Sequence, residues 1–137
     1  MTTKSIVVEY LLPGPPAKVW RALTEPELLG SWLMANDIVP EVGRAFTFRS
    51  KPMGDWDGTV HCEVLAVEPL RLLKYTWKGG GKSGLDSTVT WTLSPGENGG
   101  TKLRLDHDGF TDANGFAFDA MGKGWRDKQA KLAELSL

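Results

Sequence analysis

The chain has 137 residues, which suits one domain with one core and leaves roughly two-thirds of the unfolded surface to be buried. Sixteen basic and seventeen acidic residues give a net charge of -1, a balance that argues against the basic face nucleic-acid binding requires. No run of 18 apolar residues exists to span a membrane, and one cysteine, Cys62, cannot make an internal disulfide or a thiolate metal site. The opening Met-Thr-Thr-Lys-Ser runs into a strand of alternating charge rather than a signal peptide, and a cytoplasmic protein is the simplest expectation. Six tryptophans, at 20, 32, 56, 77, 91 and 125, supply large flat side chains for a core or a cavity wall.

Residues 4–12 are β-branched and apolar and read as a strand. Pro15 and Pro16 then mark a helix entry, because the first turn tolerates a missing N–H, and a helix runs over about 16–23. Thr24 is expected to cap a second short helix, with Pro26 in its first turn and Glu27 at the capping-box position; Gly30 keeps it short, ending near Trp32.

From Val42 the period changes to two. In 43–50 Phe46 and Phe48 share a face opposite Thr47 and Arg49. In 58–67 Val60, Cys62, Val64 and Ala66 oppose Thr59, His61 and Glu63, and Pro69 ends the strand. Leu73, Tyr75 and Trp77 alternate with Lys74, Thr76 and Lys78. Val89, Trp91 and Leu93 alternate with Thr88, Thr90 and Thr92, and Leu103, Leu105 and His107 with Lys102, Arg104 and Asp106. Turns are expected at the glycine-rich 79–84 and at Ser94–Gly100. Half-apolar strands of this kind fit an antiparallel sheet with one wet and one covered face. The cover is a long helix over about 112–135, with Phe118, Met121, Trp125, Leu132 and Leu135 near helical spacing and Asp112 as its expected cap. Gly115, Gly122 and Gly124, each costing roughly 1 kcal/mol against alanine in a helix, point to a close approach or a bend.

Chemistry-bearing motifs are sparse. Gly79-Gly80-Gly81-Lys82-Ser83 lacks the glycine a phosphate loop needs five residues before Gly81, where Thr76 stands, and leads into a strand; it reads as a hairpin turn. His107 has the inward parity of its strand and His61 the outward one, so the two do not form a metal pair, and no His, Asp and Glu cluster has ligand spacing. Asp106 and Asp108 point away from His107, which makes a triad of neighbours geometrically poor. Asp55 and Asp57 read as solvated turn residues, and Cys62 as a buried inert thiol with no local base to lower its pKa. Neither a metal nor a cofactor is implied.

The order of strand, two short helices, five strands and long helix, with the residues that fill it, resembles the helix-grip superfamily of START-like, pollen-allergen-like and polyketide-cyclase-like proteins, often written SRPBCC. Within it the chain is most similar to the family of activator of heat-shock protein 90 ATPase homologues. The segments carrying the resemblance are Pro16–Thr24 with Trp32; Gly58–Val60 through Glu68-Pro69 and Leu73–Trp77; Ser87–Thr90; and Gly100–Leu103 through His107–Phe110 with Gly124-Trp125. The resemblance implies an α+β fold: a six-stranded curved antiparallel sheet, two short helices after the first strand, and a C-terminal helix over the sheet, in one domain spanning 1–137. It also implies hydrophobic ligands held between sheet and helix, with chemistry there in some relatives. Eukaryotic co-chaperones of this type carry a second domain that is not expected here, so chaperone contact transfers less directly than ligand binding.

The expectation is therefore a small protein, monomer or homodimer, that binds a hydrophobic or aromatic small molecule. The expected cavity residues are Trp32, Phe46, Phe48, Val60, Cys62, Tyr75, Trp77, Val89, Trp91, Leu105, His107, Phe118, Met121 and Trp125. Two other readings stay open. One is a cyclase- or hydrolase-like enzyme using His107 or Tyr75 as acid–base group. The other is a chaperone- or protein-interaction module.

Overall fold

A computed structural model describes residues 3–79 and 84–137. The hairpin turn expected at 79–84 thus lies, apart from its end residues, outside the described residues. Strand β1 (Lys4–Leu12) leads into helices α1 (Pro16–Thr24) and α2 (Pro26–Trp32). Strands β2 (Ala35–Asn36), β3 (Ala45–Arg49), β4 (Thr59–Glu68), β5 (Leu72–Gly79), β6 (Leu85–Pro95) and β7 (Thr101–Phe110) follow. Helices α3 (Gly115–Arg126) and α4 (Gln129–Leu135) close the chain.

The strands form one antiparallel sheet in the order β1-β7-β6-β5-β4-β3-β2. It has seven strands where six were expected. The extra one, β2, is only two residues, paired to Arg49 and Phe48, and is too short to show a period. The alternation elsewhere is borne out: Phe46, Phe48, Val60, Cys62, Tyr75, Trp77, Val89, Trp91, Leu105 and His107 are all buried, while His61 and Glu63 face solvent.

Proline sets both short helices. Pro15 is the N-cap of α1 and Pro16 its first residue, and Val19, Ala22 and Leu23 form the buried stripe. The expected Thr24 cap is corrected. Thr24 stays helical as the last residue of α1, its hydroxyl donating to the Trp20 carbonyl at 2.8 Å, and Glu25 takes the N-cap of α2 without a side-chain bond. Trp32 donates to the Ala22 carbonyl at 2.9 Å and so locks the two helices together.

The single long helix is also corrected. It bends at Asp127–Lys128, splitting into α3 and α4, and not at Gly122 or Gly124. Its lead-in is capped by Thr111 rather than Asp112: Asn114 Oδ1 accepts from the Thr111 backbone N–H and hydroxyl, both at 3.0 Å. After the bend, α4 runs beside β1. The Gln129 amide donates to the Leu11 carbonyl (2.9 Å) and accepts from the Leu11 N–H (3.3 Å), covering part of an otherwise open sheet edge. Gly14 sits against the end of α4, where an added Cβ would lie 1.4 Å from the Ser136 carbonyl oxygen.

Candidate functional site

The inward faces of the strands converge, and they fill the interior. Phe46 meets Tyr75 edge-on (centroids 5.1 Å apart), Trp77 meets Trp125 (5.5 Å), and Trp91 meets both Trp32 (5.8 Å) and Trp125 (5.6 Å). Tyr75, Trp91 and His107 have no exposed surface.

The polar groups of this core, the Trp77 indole nitrogen excepted, are hydrogen-bonded. Trp125 Nε1–H donates to His107 Nδ1 at 3.1 Å. An indole nitrogen is a donor only, so Nδ1 must be bare and Nε2 must carry the imidazole proton. Nε2–H then donates to Ser87 Oγ at 2.8 Å, and the Ser87 hydroxyl donates to the Trp77 carbonyl at 2.8 Å. Both nitrogens of His107 are committed. Burial pulls its pKa down to about 3, since the charged form would be stripped of water. Tyr75 Oη accepts from Trp91 Nε1 at 3.0 Å, and burial pushes the phenol pKa up. Burial likewise pushes the Cys62 thiol up, which keeps it protonated and unreactive. His107 and Tyr75 have no exposed surface and Cys62 is buried, so none is placed to exchange a proton with a substrate.

Open space lies at one end of the grip. A hollow of about 460 Å³ sits between the β3–β4 loop, the base of the β5–β6 hairpin, α3 and Met34. Its lining among the described residues is Met34, Met53, Gly54, Asp55, Trp56, Val60, Trp77, Gly79, Leu85, Ala113, Phe116, Ala117 and Met121, with Asp55 the one ionisable side chain. A second, more open hollow of about 280 Å³ shares Met34, Trp77 and Met121 with it and is otherwise bordered by Leu33, Ala120, Gly124, Trp125 and Lys128.

The β3–β4 loop is shaped to make this wall. Met53 and Trp56 bond each other's backbones at 3.0 Å both ways, and Trp56 Nε1 donates to the Thr59 carbonyl at 2.9 Å. Gly58, at φ +86°, accepts from the Ser50 N–H at 2.7 Å; a Cβ there would lie 2.2 Å from the Ser50 carbonyl oxygen. Phe116 (83% exposed) and Met53 (68%) stand at the rim.

Of the fourteen expected cavity residues, Val60, Trp77, Met121 and Trp125 border one hollow or the other. Trp32, Phe46, Phe48, Cys62, Tyr75, Val89, Trp91, Leu105 and His107 are packed in the core, and half-buried Phe118 stacks edge-on against Phe110 at 5.4 Å. Met34, Met53, Trp56, Leu85, Phe116 and Ala117 border the larger hollow without having been singled out as cavity residues. The available signal was two large apolar residues, Met53 and Trp56, inside a Gly/Asp/Pro-rich turn. Among the described residues no group of His, Cys, Asp and Glu is arranged to hold a metal, and no helix is long and apolar enough to cross a membrane.

Solved structures of similar shape include protein MLL2253 from Mesorhizobium loti, at 41% identity and TM-score 0.85 over 96% of each chain. Protein BH1534 from Bacillus halodurans matches at 28% identity and TM-score 0.79 over all of both chains. The Aha1 dimer from Colwellia psychrerythraea shares the fold at 19% identity and TM-score 0.78, over 97% of this chain and 96% of that one. No curated protein matches. The family model described as Activator of Hsp90 ATPase homolog 1-like protein matches residues 13–136, and the chain belongs to that family of helix-grip proteins.

Proposed function

We propose that the protein binds a hydrophobic or aromatic small molecule in the hollow between the β3–β4 loop and α3. The observation that carries this reading is the hollow itself: about 460 Å³, apolar walls, one carboxylate in the lining, and an opening rimmed by Met53 and Phe116. That size and chemistry suit a compact organic ligand. An aromatic body burying about 150–250 Å² would gain roughly 4–6 kcal/mol at ~25 cal/mol per Å². Part of that gain is offset by lost freedom on association, so the weak-to-micromolar range is expected for simple aromatic compounds.

Binding rather than acid–base catalysis is favoured because His107 and Tyr75 are bonded to tryptophan N–H groups behind the wall of the hollow and have no exposed surface. The test is titration with aromatic and acyl compounds, followed by quenching of tryptophan fluorescence, in the wild type and in Ala117→Phe. The added ring would project from α3 into the hollow. The expected result is saturable quenching in the wild type and at least tenfold weaker binding in the variant at unchanged far-UV circular dichroism. Saturable binding that the filled variant retains in full would place the ligand elsewhere and sink the proposal.

A further inference from the structure

Four of the six tryptophans donate their indole N–H to an identified acceptor. Trp32 bonds the Ala22 carbonyl, Trp56 the Thr59 carbonyl, Trp91 the Tyr75 hydroxyl and Trp125 the His107 ring. Trp20 is half-buried on the flank of α1. Trp77 differs from all of these. It is 1% exposed, and its Nε1 is buried with no hydrogen-bond partner among the described residues.

No ring neighbour of Trp77 has a nitrogen or oxygen free to accept that proton. Phe48, His107 and Trp125 present rings at 5.1–5.5 Å between centroids. His107 has both nitrogens engaged, and Trp125 is itself a donor. A buried N–H left unbonded costs about 1–3 kcal/mol, which is rarely tolerated in a core that satisfies its other indoles.

The position of this orphan donor bears on function. Trp77 borders both hollows, together with Met34 and Met121. The two spaces therefore adjoin across one indole and two methionines. Both methionines are only partly buried, and their unbranched thioethers repack easily. Displacing them would join the hollows beside Trp77, whose indole N–H lacks an acceptor.

Resting on the ligand-binding reading above, we infer that Trp77 Nε1–H is a specificity-determining donor. The ligand class it selects is an apolar, flat molecule carrying a carbonyl or ether oxygen between apolar groups. Its body occupies the larger hollow and its oxygen takes the indole proton. A pure hydrocarbon of the same outline leaves that donor unbonded.

The probes are 2-acetylnaphthalene and 2-ethylnaphthalene, which share a ring system and differ in the carbonyl. Each is titrated into ¹⁵N-labelled wild type and Trp77→Phe. Because the ketone also costs more to remove from water, the quantity compared is the ratio of the two affinities. That ratio is expected to shift towards the hydrocarbon by about three- to tenfold in Trp77→Phe, the worth of one net hydrogen bond. In the wild type the Trp77 indole N–H resonance should move downfield with the ketone and not with the hydrocarbon. This second readout needs no variant and decides the matter if Trp77→Phe fails to fold. Binding of both probes with an unchanged ratio, or with the Trp77 resonance indifferent to the carbonyl, overturns the inference and leaves the ligand-binding reading standing. Binding of neither probe overturns both.

Discussion

Replacing His107 with leucine tests the buried imidazole directly, because its two effects on stability have opposite pH dependence. Leucine is close in volume to histidine but accepts nothing from Trp125 Nε1–H and donates nothing to Ser87 Oγ. At pH 7 the variant should lose about 1–3 kcal/mol, mainly from the orphaned indole. Acid changes the comparison. In the unfolded wild type His107 titrates near 6.5, whereas in the folded protein its pKa lies at about 3. As the pH falls below 6.5 the unfolded chain takes up the proton first, so this contribution is fully present above about pH 6.5 and is lost on going down towards pH 3. The slope approaches about 1.4 kcal/mol per pH unit, and between pH 6 and pH 4 the loss comes to about 2.5 kcal/mol. His107→Leu has no such term. Carboxylates and the exposed His61 are common to both proteins and cancel in the difference.

The assay is urea unfolding followed by tryptophan fluorescence at half-unit steps from pH 7 to pH 4. The stability gap between wild type and variant should shrink steadily and close, or reverse, between pH 5 and pH 4. A gap that stays constant across that range would mean His107 titrates alike in both states. The neutral, doubly bonded imidazole would then be wrong, and with it the argument that His107 is withheld from acid–base work.

Three further outcomes are expected. Gly14→Ala sets a methyl group on the Ser136 carbonyl oxygen, and the melting temperature should fall by the equivalent of about 3 kcal/mol or more, against a change of under about 1 kcal/mol for the control Gly115→Ala, where space is open and the backbone is already helical. Tyr75→Phe removes the acceptor for Trp91 Nε1–H and should cost about 1–3 kcal/mol in urea unfolding while leaving ligand affinity within twofold, because Tyr75 does not border either hollow. Cys62 should resist a thiol reagent at pH 8 in the native protein and react at once in urea; rapid native labelling would contradict its burial and raised pKa.

Most of the scaffold is legible in the chain because its strands alternate strictly. Thr88, Thr90 and Thr92 against Val89, Trp91 and Leu93 leave one register in which the apolar side is covered. The proline pair at 15–16 and the single Pro26 are equally explicit, since a proline at the first helical position has few other uses. The bend at Asp127–Lys128 carries no such mark. Neither residue breaks helices, and the change of direction goes with α4 docking on β1 through the Gln129–Leu11 bonds, a tertiary demand. Parity also identifies inward residues without saying whether they touch each other or a void. Phe46, Tyr75 and Trp91 point inward as expected and spend that direction on one another. The hollow draws instead on Met53, Trp56 and Phe116, which come from a turn and from the exposed side of a helix, where no period applies.

The two halves of the interior differ in how their side chains are held, and that difference explains where a ligand can enter. Trp32, Trp91 and Trp125 are each pinned by a hydrogen bond as well as by ring contacts, so displacing any of them breaks a bond and leaves a buried donor. The wall of the hollow is built from Met34, Met53 and Met121, whose thioethers have no such bond to lose and several rotamers to exchange. Adjustment on binding is therefore cheaper at the methionines of this hollow than at the bonded tryptophans of the core. Trp77 stands on the boundary, packed with the pinned set yet lacking its bond. A ligand oxygen supplied from the methionine side would give Trp77 what the other buried indoles already have, and would extend the bonded core by one member into the site.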